Sequence, residues 1–280
     1  MRKKFEKLFK EYEKLIKKAE KGIVTEYTVA LKAMYKLTAD MFRKYEKNGK
    51  LTYEEMAKYK RMQGFYKELD VLVNETYKRN TKAIKDVLSE TYKLNYNGVK
   101  EIVELTQNKK LIPIIREDVL KKAMYNDISG LRWTDRMGLH RETAVLKIRE
   151  TVTKGLIEGQ TYSTMSKELN KSLSGQVVNP MRIVRTESHR VFQEAKKDSL
   201  DGASKKVKMT KEWITSNDER VRGYKPRDKA NHVDMDGIIV PYEEDFITPN
   251  GNRGFGPGMF GVPEEDCNCR CDFIIDFIDD

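Results

Sequence analysis

The sequence predicts a mainly α protein: an elongated N-terminal helical region over residues 1–176, then a small α+β module over residues 177–280. Three observations predict it. Up to about residue 173, apolar side chains recur in steps of three and four with few breaks. Charged residues make up 35% of the chain and hydrophobic ones 39%, a polar balance that suits long helices burying one stripe each. Past Gly202 the signal changes period and reads as short strands.

The first helix is marked by Phe5, Leu8, Tyr12, Leu15, Ala19, Ile23, Tyr27, Ala30, Met34, Met41 and Tyr45, and stops at Asn48-Gly49. Thr52 with Glu55 forms a capping box for a second helix that turns Met56, Tyr59, Met62, Tyr66, Leu69 and Val73 toward a partner. So short a connection makes the two an antiparallel hairpin. A further helix spans about 81–107, with Asn95 to Gly98 as a candidate interruption; Lys109 to Pro113 breaks the pattern and 116–125 resumes it. Thr134 is a candidate cap for a helix carrying Met137, Ala144, Val145, Ile148 and Val152, and Gly159-Gln160-Thr161 separates it from another ending near Leu173. Ser174-Gly175 and Asn179-Pro180 read as the boundary, with Asn179 capping a new helix that runs to Leu200. Val207 to Trp213, Ile238 to Val240 and Cys271 to Phe277 read as strands.

The net charge of +10 is unevenly spread. Residues 1–50 carry 15 Lys and Arg against 7 Asp and Glu, and residues 251–280 carry 2 against 7. The basic end fits a nucleic acid or an acidic protein surface, although lysine-rich helix faces are also simply solvated. No run of about 18 apolar residues is present and the first residues lack a signal peptide's apolar stretch, so no membrane span is indicated and a cytoplasmic compartment is expected. Three cysteines within five positions give an odd count poorly spaced for a disulfide framework, in keeping with a reducing compartment.

On the helix after Asn179, Arg182, Thr186, Arg190 and Gln193 share a polar face, and Glu187 can pair with Arg190. Such a face binds an anion through its arginines or braces neighbouring loops. Asp218, Arg220, Arg222, His232, Asp234 and Asp236 crowd one polar loop, a composition able to supply metal ligands or a general base. Asp236-Gly237 before Ile238 also reads as a plain turn entering a strand. Thiolates at Cys267, Cys269 and Cys271 with His232 make a four-ligand soft site suited to zinc. Against it, Cys-x-Cys in an extended strand spaces its side chains by roughly 7 Å, so a turn must draw them together; the other reading is reduced thiols packed at a strand start. Gly256-Pro257-Gly258-Met259-Phe260-Gly261 matches G-x-G-x-x-G, but it follows no clear strand and precedes no helix, so it reads as a flexible loop.

Taken in order, Arg185-Thr186-Glu187 with Arg190, Trp213, Asp218, Val221-Arg222, His232, Asp236-Gly237, Phe246, Pro263 and Asn268-Cys269-Arg270-Cys271 resemble the C-terminal module of the Mu F-like phage minor head (head morphogenesis) proteins. Trp133-Thr134-Asp135-Arg136 and Gly159-Gln160-Thr161 resemble the segment leading into it, so the likeness covers about residues 130–273. It implies a phage or prophage head component that contacts the portal or major capsid protein and the packaged double-stranded DNA. Such a component sits inside the capsid near the portal, after passing through the host cytoplasm, and serves assembly or DNA delivery with no catalytic residue, membrane or small-molecule substrate. Some relatives carry a further cysteine pair where this chain has Asp218 to Arg222. That leaves His232 and Cys267 to complete any zinc site with Cys269 and Cys271; no other cofactor is expected.

Two other readings compete. One is a metal-dependent nucleic-acid hydrolase using His232, Asp218 and the cysteine cluster. The other is a toxin or effector delivered by a phage-like system, because the module is also found joined to toxin domains; nothing after Cys271 leaves room for one. Under the head-protein reading, Arg185, Thr186, Glu187, Arg190, Asp218, Arg222, His232 and Asp236 form a structural polar cluster. Arg185, Glu187, Arg222, His232 and Cys269 to Cys271 should then converge and link the helix to the final strand.

Overall fold

The computed structural model describes residues 1–126 and 130–278. Six helices precede every strand among them: α1 (Arg2–Tyr45), α2 (Tyr53–Ala57), α3 (Arg61–Gln107), α4 (Glu117–Tyr125), α5 (Trp133–Ile157) and α6 (Tyr162–Ser204). Strands β1 (Met209–Ile214), β2 (Ile239–Pro241), β3 (Phe246–Ile247), β4 (Arg253–Gly254) and β5 (Asp272–Phe277) follow, with the one-turn helix α7 (Pro263–Asp266) before β5. The chain is mainly α with a small strand-bearing C-terminal module, the class its periodicity predicts. No described helix is long and apolar enough to cross a membrane.

The long helices are shared between two compact units, one of residues 1–18, 85–133 and 182–280, the other of residues 19–84 and 134–181. In the second unit α1 and α3 pair as the short connection demands, with Tyr27 edge-on to Tyr77 at 6.0 Å and Arg79 donating to Glu26. Ile23, Ala30, Met34, Leu69 and Val73 are buried there, as are Ile148, Val152 and Met165. Arg149 and Asp70 tie α5 to α3. Only half of the expected capping box forms: the Glu55 amide donates to Thr52 Oγ1, while the Glu55 carboxylate turns to Lys47 and Lys58. Tyr59 and Lys60 adopt positive φ, which shifts the helical phase and leaves Tyr59 88% exposed instead of in the stripe expected of it.

In the first unit Asn95 to Gly98 does not interrupt α3. The Asn95 amide, buried, donates to the Phe192 carbonyl, and Gly98 lets α1 approach, since a Cβ there would stand 2.6 Å from Leu8. The expected break at Ser174 to Pro180 is likewise absent: α6 is continuous from Tyr162 to Ser204 with Pro180 inside it. Packing outweighs the lost hydrogen bond there, because Leu173, Ile183 and Val184 stay buried on either side. Membership of the two units changes at residues 181 and 182, just past that proline.

The module's sheet has the order β2-β1-β5, all antiparallel, with Trp213 opposite Phe273 and Lys211 between Ile275 and Val240. Met209, Lys211 and Trp213 point inward from β1, and the first four residues of β5 are buried. A two-residue hairpin, β3 with β4, is too short to show an alternation signal in the sequence. The glycine-rich stretch is packed, which corrects its reading as a flexible loop. Gly256, Pro257 and Gly258 are buried, and a Cβ at Gly256 would fall 2.9 Å from Phe273.

Candidate functional site

The C-terminal chemistry converges on His232. Its backbone amide donates to the Arg222 carbonyl at 2.8 Å, which fixes the residue just ahead of a single 3-10 turn (Val233–Met235). The ring is fully buried, edge-on to Trp213 at 5.3 Å. Nε2 lies 2.7 Å from Glu265 Oε2, and Nδ1 faces Cys271 Sγ at 3.6 Å and Cys269 Sγ at 3.7 Å. The Glu265 carboxylate comes from α7, whose Pro263 starts the turn, and its other oxygen accepts from Thr248 and Asn252. The chain turns just before these cysteines: Asn268 has a φ of 56° and the Cys269 amide donates to the Asp266 carbonyl.

Protonation follows from this packing. Burial disfavours a charged imidazole, but hydrogen bonds to Cys269 and Glu265 outweigh it and raise the His232 pKa to about 9. Burial likewise opposes a thiolate at Cys269, yet hydrogen bonds from Cys271 and His232 bring its pKa well below the usual thiol range. Its neighbour Cys271 is pushed up by the proton it shares with Cys269. The chemistry is that of a dry imidazole and thiolate cluster, able to hold a soft cation and closed to bulky substrates.

Three further contacts clamp this segment from outside. The His189 Nε2 of α6 lies 2.7 Å from the Cys271 carbonyl, Thr186 Oγ1 accepts from the Asn268 amide at 3.1 Å, and the Arg222 guanidinium donates to the Cys267 carbonyl. Arg270, between the two converged cysteines, turns outward to Asp218 and to Glu13. Burial opposes ionisation of Asp218, but its bonds from Arg220 and Arg270 prevail and hold its carboxyl far below the usual range.

Of the residues singled out in the sequence, His232, Cys269, Cys271, Arg222, Thr186 and Asp218 therefore belong to one connected neighbourhood. Cys267 contributes its carbonyl, and its sulfur lies outside the group that His232, Cys269 and Cys271 form, whose ligand atoms all fall within 4.8 Å of one another. Glu187 and Arg190 pair with each other inside α6, with Nε to Oε2 at 3.0 Å and both side chains buried. Arg185 is exposed. Asp236 sits at a turn, accepting from the amide and hydroxyl of Thr215.

Sequence reasoning missed a second layer. Lys196 of α6, 1% exposed, donates to Asp272 and to the Phe273 carbonyl and lies within 5.4 Å of the Phe5, Phe192 and Phe273 rings. Lys211 donates to the Phe255 carbonyl beneath the Phe255, Phe246 and Tyr242 rings. Its place was legible in parity, since 209, 211 and 213 share a strand face.

The family described as phage Mu protein F like protein matches residues 146–274. Over 260 residues the chain is 31% identical to minor head protein GP7 of Bacillus phage SPP1, an alignment covering 91% of this chain and 81% of that protein. Over 174 residues it is 28% identical to the NAD(+)--arginine ADP-ribosyltransferase EFV of Enterococcus faecalis (strain ATCC 700802 / V583), covering 61% of this chain and 34% of that protein. No solved structure matches the chain.

Proposed function

The chain belongs to the phage Mu protein F like family and is a phage minor head protein, and on that premise we propose that it docks on the portal inside the capsid and contacts the packaged DNA. The observation that carries the DNA contact is a stripe on α1. Lys3, Lys7, Lys10, Lys14, Lys17 and Lys21 are all exposed and follow in steps of four and three, on the face opposite the buried Phe5, Leu8, Tyr12 and Ile16. At a rise of 1.5 Å per residue the stripe runs about 27 Å, enough to follow a duplex backbone past several phosphates. In this reading residues 1–176 supply the docking surface and residues 177–280 the module. Co-expression with the portal protein of the same phage tests it: the two should co-purify at moderate salt, and separation of the folded proteins would remove the portal from the proposal.

The role we assign is structural rather than catalytic. A nucleic-acid hydrolase built on His232, Asp218 and the cysteines needs them to reach a phosphodiester. Here His232, Cys269 and Cys271 are buried, both His232 nitrogens are engaged, and Asp218 is held by two arginines. The polar residues around His232 brace one another, which supports a structural module. Two thirds of that enzyme has no counterpart in this alignment, which supports placing its transfer chemistry outside the shared segment. Incubation with NAD+ and an arginine-bearing acceptor should give no ADP-ribosylated product; turnover would overturn the structural role.

A further inference from the structure

We propose that His232 Nδ1, Cys269 Sγ and Cys271 Sγ bind one soft divalent cation, with zinc the natural occupant, and that Glu265 is the positioning residue for the histidine. The inference is independent of what the protein docks on. It stands first on geometry. A tetrahedral zinc with bonds of about 2.3 Å to sulfur and about 2.0–2.1 Å to nitrogen separates those ligand atoms by roughly 3.6 Å. The two nitrogen to sulfur distances here are 3.6 and 3.7 Å. The ligand atoms of His232, Cys269 and Cys271 all lie within 4.8 Å of one another, which removes the objection that an extended Cys-x-Cys spreads its sulfurs too far.

It stands secondly on the layer behind the ligands. A metal-bound histidine presents one ring nitrogen to the ion and fixes the other against a carboxylate or carbonyl. Glu265 takes that place on Nε2 and is itself held by Thr248 and Asn252. The carbonyls of Cys267 and Cys271 are held by Arg222 and His189, so the peptide carrying the thiols is fixed on both sides. Arg270, the one cationic side chain in the Cys-x-Cys step, is turned away toward acidic partners. A divalent cation would offset two buried thiolates, whose charge is otherwise costly in a dry interior. Cys267 is not a ligand in this assignment.

The test uses the full chain expressed in zinc-supplemented medium and purified without chelator. Elemental analysis should find close to one zinc per chain. Exchange into cobalt should give the intense thiolate-to-cobalt absorption of a site with two cysteine ligands. Cys267→Ser should keep the metal, the pair Cys269→Ser with Cys271→Ser should lose at least nine-tenths of it, and Glu265→Gln should weaken affinity by about 10–100-fold. Because ligand variants can fail to fold, the native chain decides by itself: folded protein by circular dichroism with neither zinc nor a cobalt-thiolate band overturns the proposal. Loss of metal in Cys267→Ser would overturn the three-residue assignment.

Discussion

Removing the carboxylate of Asp272 isolates a buried charge, and the cost can be worked out from its neighbours. Asp272 Oδ1 accepts from Lys196 Nζ, from Gln193 Nε2 at 3.0 Å and from the Phe273 amide at 2.9 Å, and Lys196 is 1% exposed. Burial pulls the Lys196 pKa down against the attraction of that carboxylate. In Asp272→Ala the ammonium keeps the Phe273 carbonyl and three aromatic faces but no counter-charge, and breaking such a pair costs about 3–5 kcal/mol. Converting both partners to apolar residues, as in Lys196→Met with Asp272→Ala, removes the stranded charge. The double variant should therefore be more stable than Asp272→Ala alone, although it lacks more polar contacts. Trp133 and Trp213 are the chain's two tryptophans and lie in the same compact unit as this pair. Urea titration followed by their fluorescence thus reads that unit, and the single variant should lower its midpoint by roughly 1–2 M. A cost of under about 1 kcal/mol, or a double variant that falls by the sum of the singles, would refute the reasoning.

Lys211 supplies a pH signature. Burial lowers its pKa from 10.5 to about 7, so between pH 7 and 10 the unfolded chain binds more protons than the folded one and stability rises with pH. Lys211→Met should remove that rise, worth on the order of 4 kcal/mol over the window; equal slopes for the two proteins in urea titrations at pH 6.5, 8 and 9.5 would contradict it. For the lysine stripe, six phosphate contacts give a log–log salt slope of duplex binding near −5, and Lys7, Lys14 and Lys21 changed together to Gln should flatten it by about 3. An unchanged slope would take DNA off that face. Gly258 has a φ of +75° and a Cβ there would meet His189 Nδ1 at 2.5 Å, so Gly258→Ala should cost about 1–3 kcal/mol. Gly175, mid-helix with nothing within 4 Å, should instead tolerate Ala with a gain of about 0.5–1 kcal/mol in thermal unfolding.

The helices were legible because their signal is local and repeated. Phe5, Leu8, Tyr12, Ile23, Tyr27, Ala30 and Met34 are buried as the period requires. Where local and tertiary signals conflict, local punctuation lost. Pro180 and Asn95 to Gly98 look like breaks to a rule that sees only the chain, whereas helix packing keeps α6 continuous and turns Asn95 and Gly98 into contacts. The site shows the opposite limit. His232 and the cysteines stand out by rarity, but Glu265 is hidden in a run of acidic residues, and a lysine is expected at the surface until its carboxylate or aromatic partners are known. Apart from Phe192, those partners of Lys196 and Lys211 lie far along the chain, so no short pattern announces them.

That limit also explains how individually weak motifs make a strong ordered combination. Thr186 meets Asn268, Arg222 meets the Cys267 carbonyl, Asp218 meets Arg270, and His232 meets two cysteines and Glu265. Each motif holds a different segment onto the stretch before β5, so each is constrained by its partner. Disturbing that stretch should therefore change folding before it changes any contact with the virion. The exposed lysines of α1 hold no part of this lattice, and their substitution should change binding while leaving the urea midpoint in place. A stripe variant that lost both together would mean that the lysines act through the fold, and the assignment of that face to an external polyanion would fail with it.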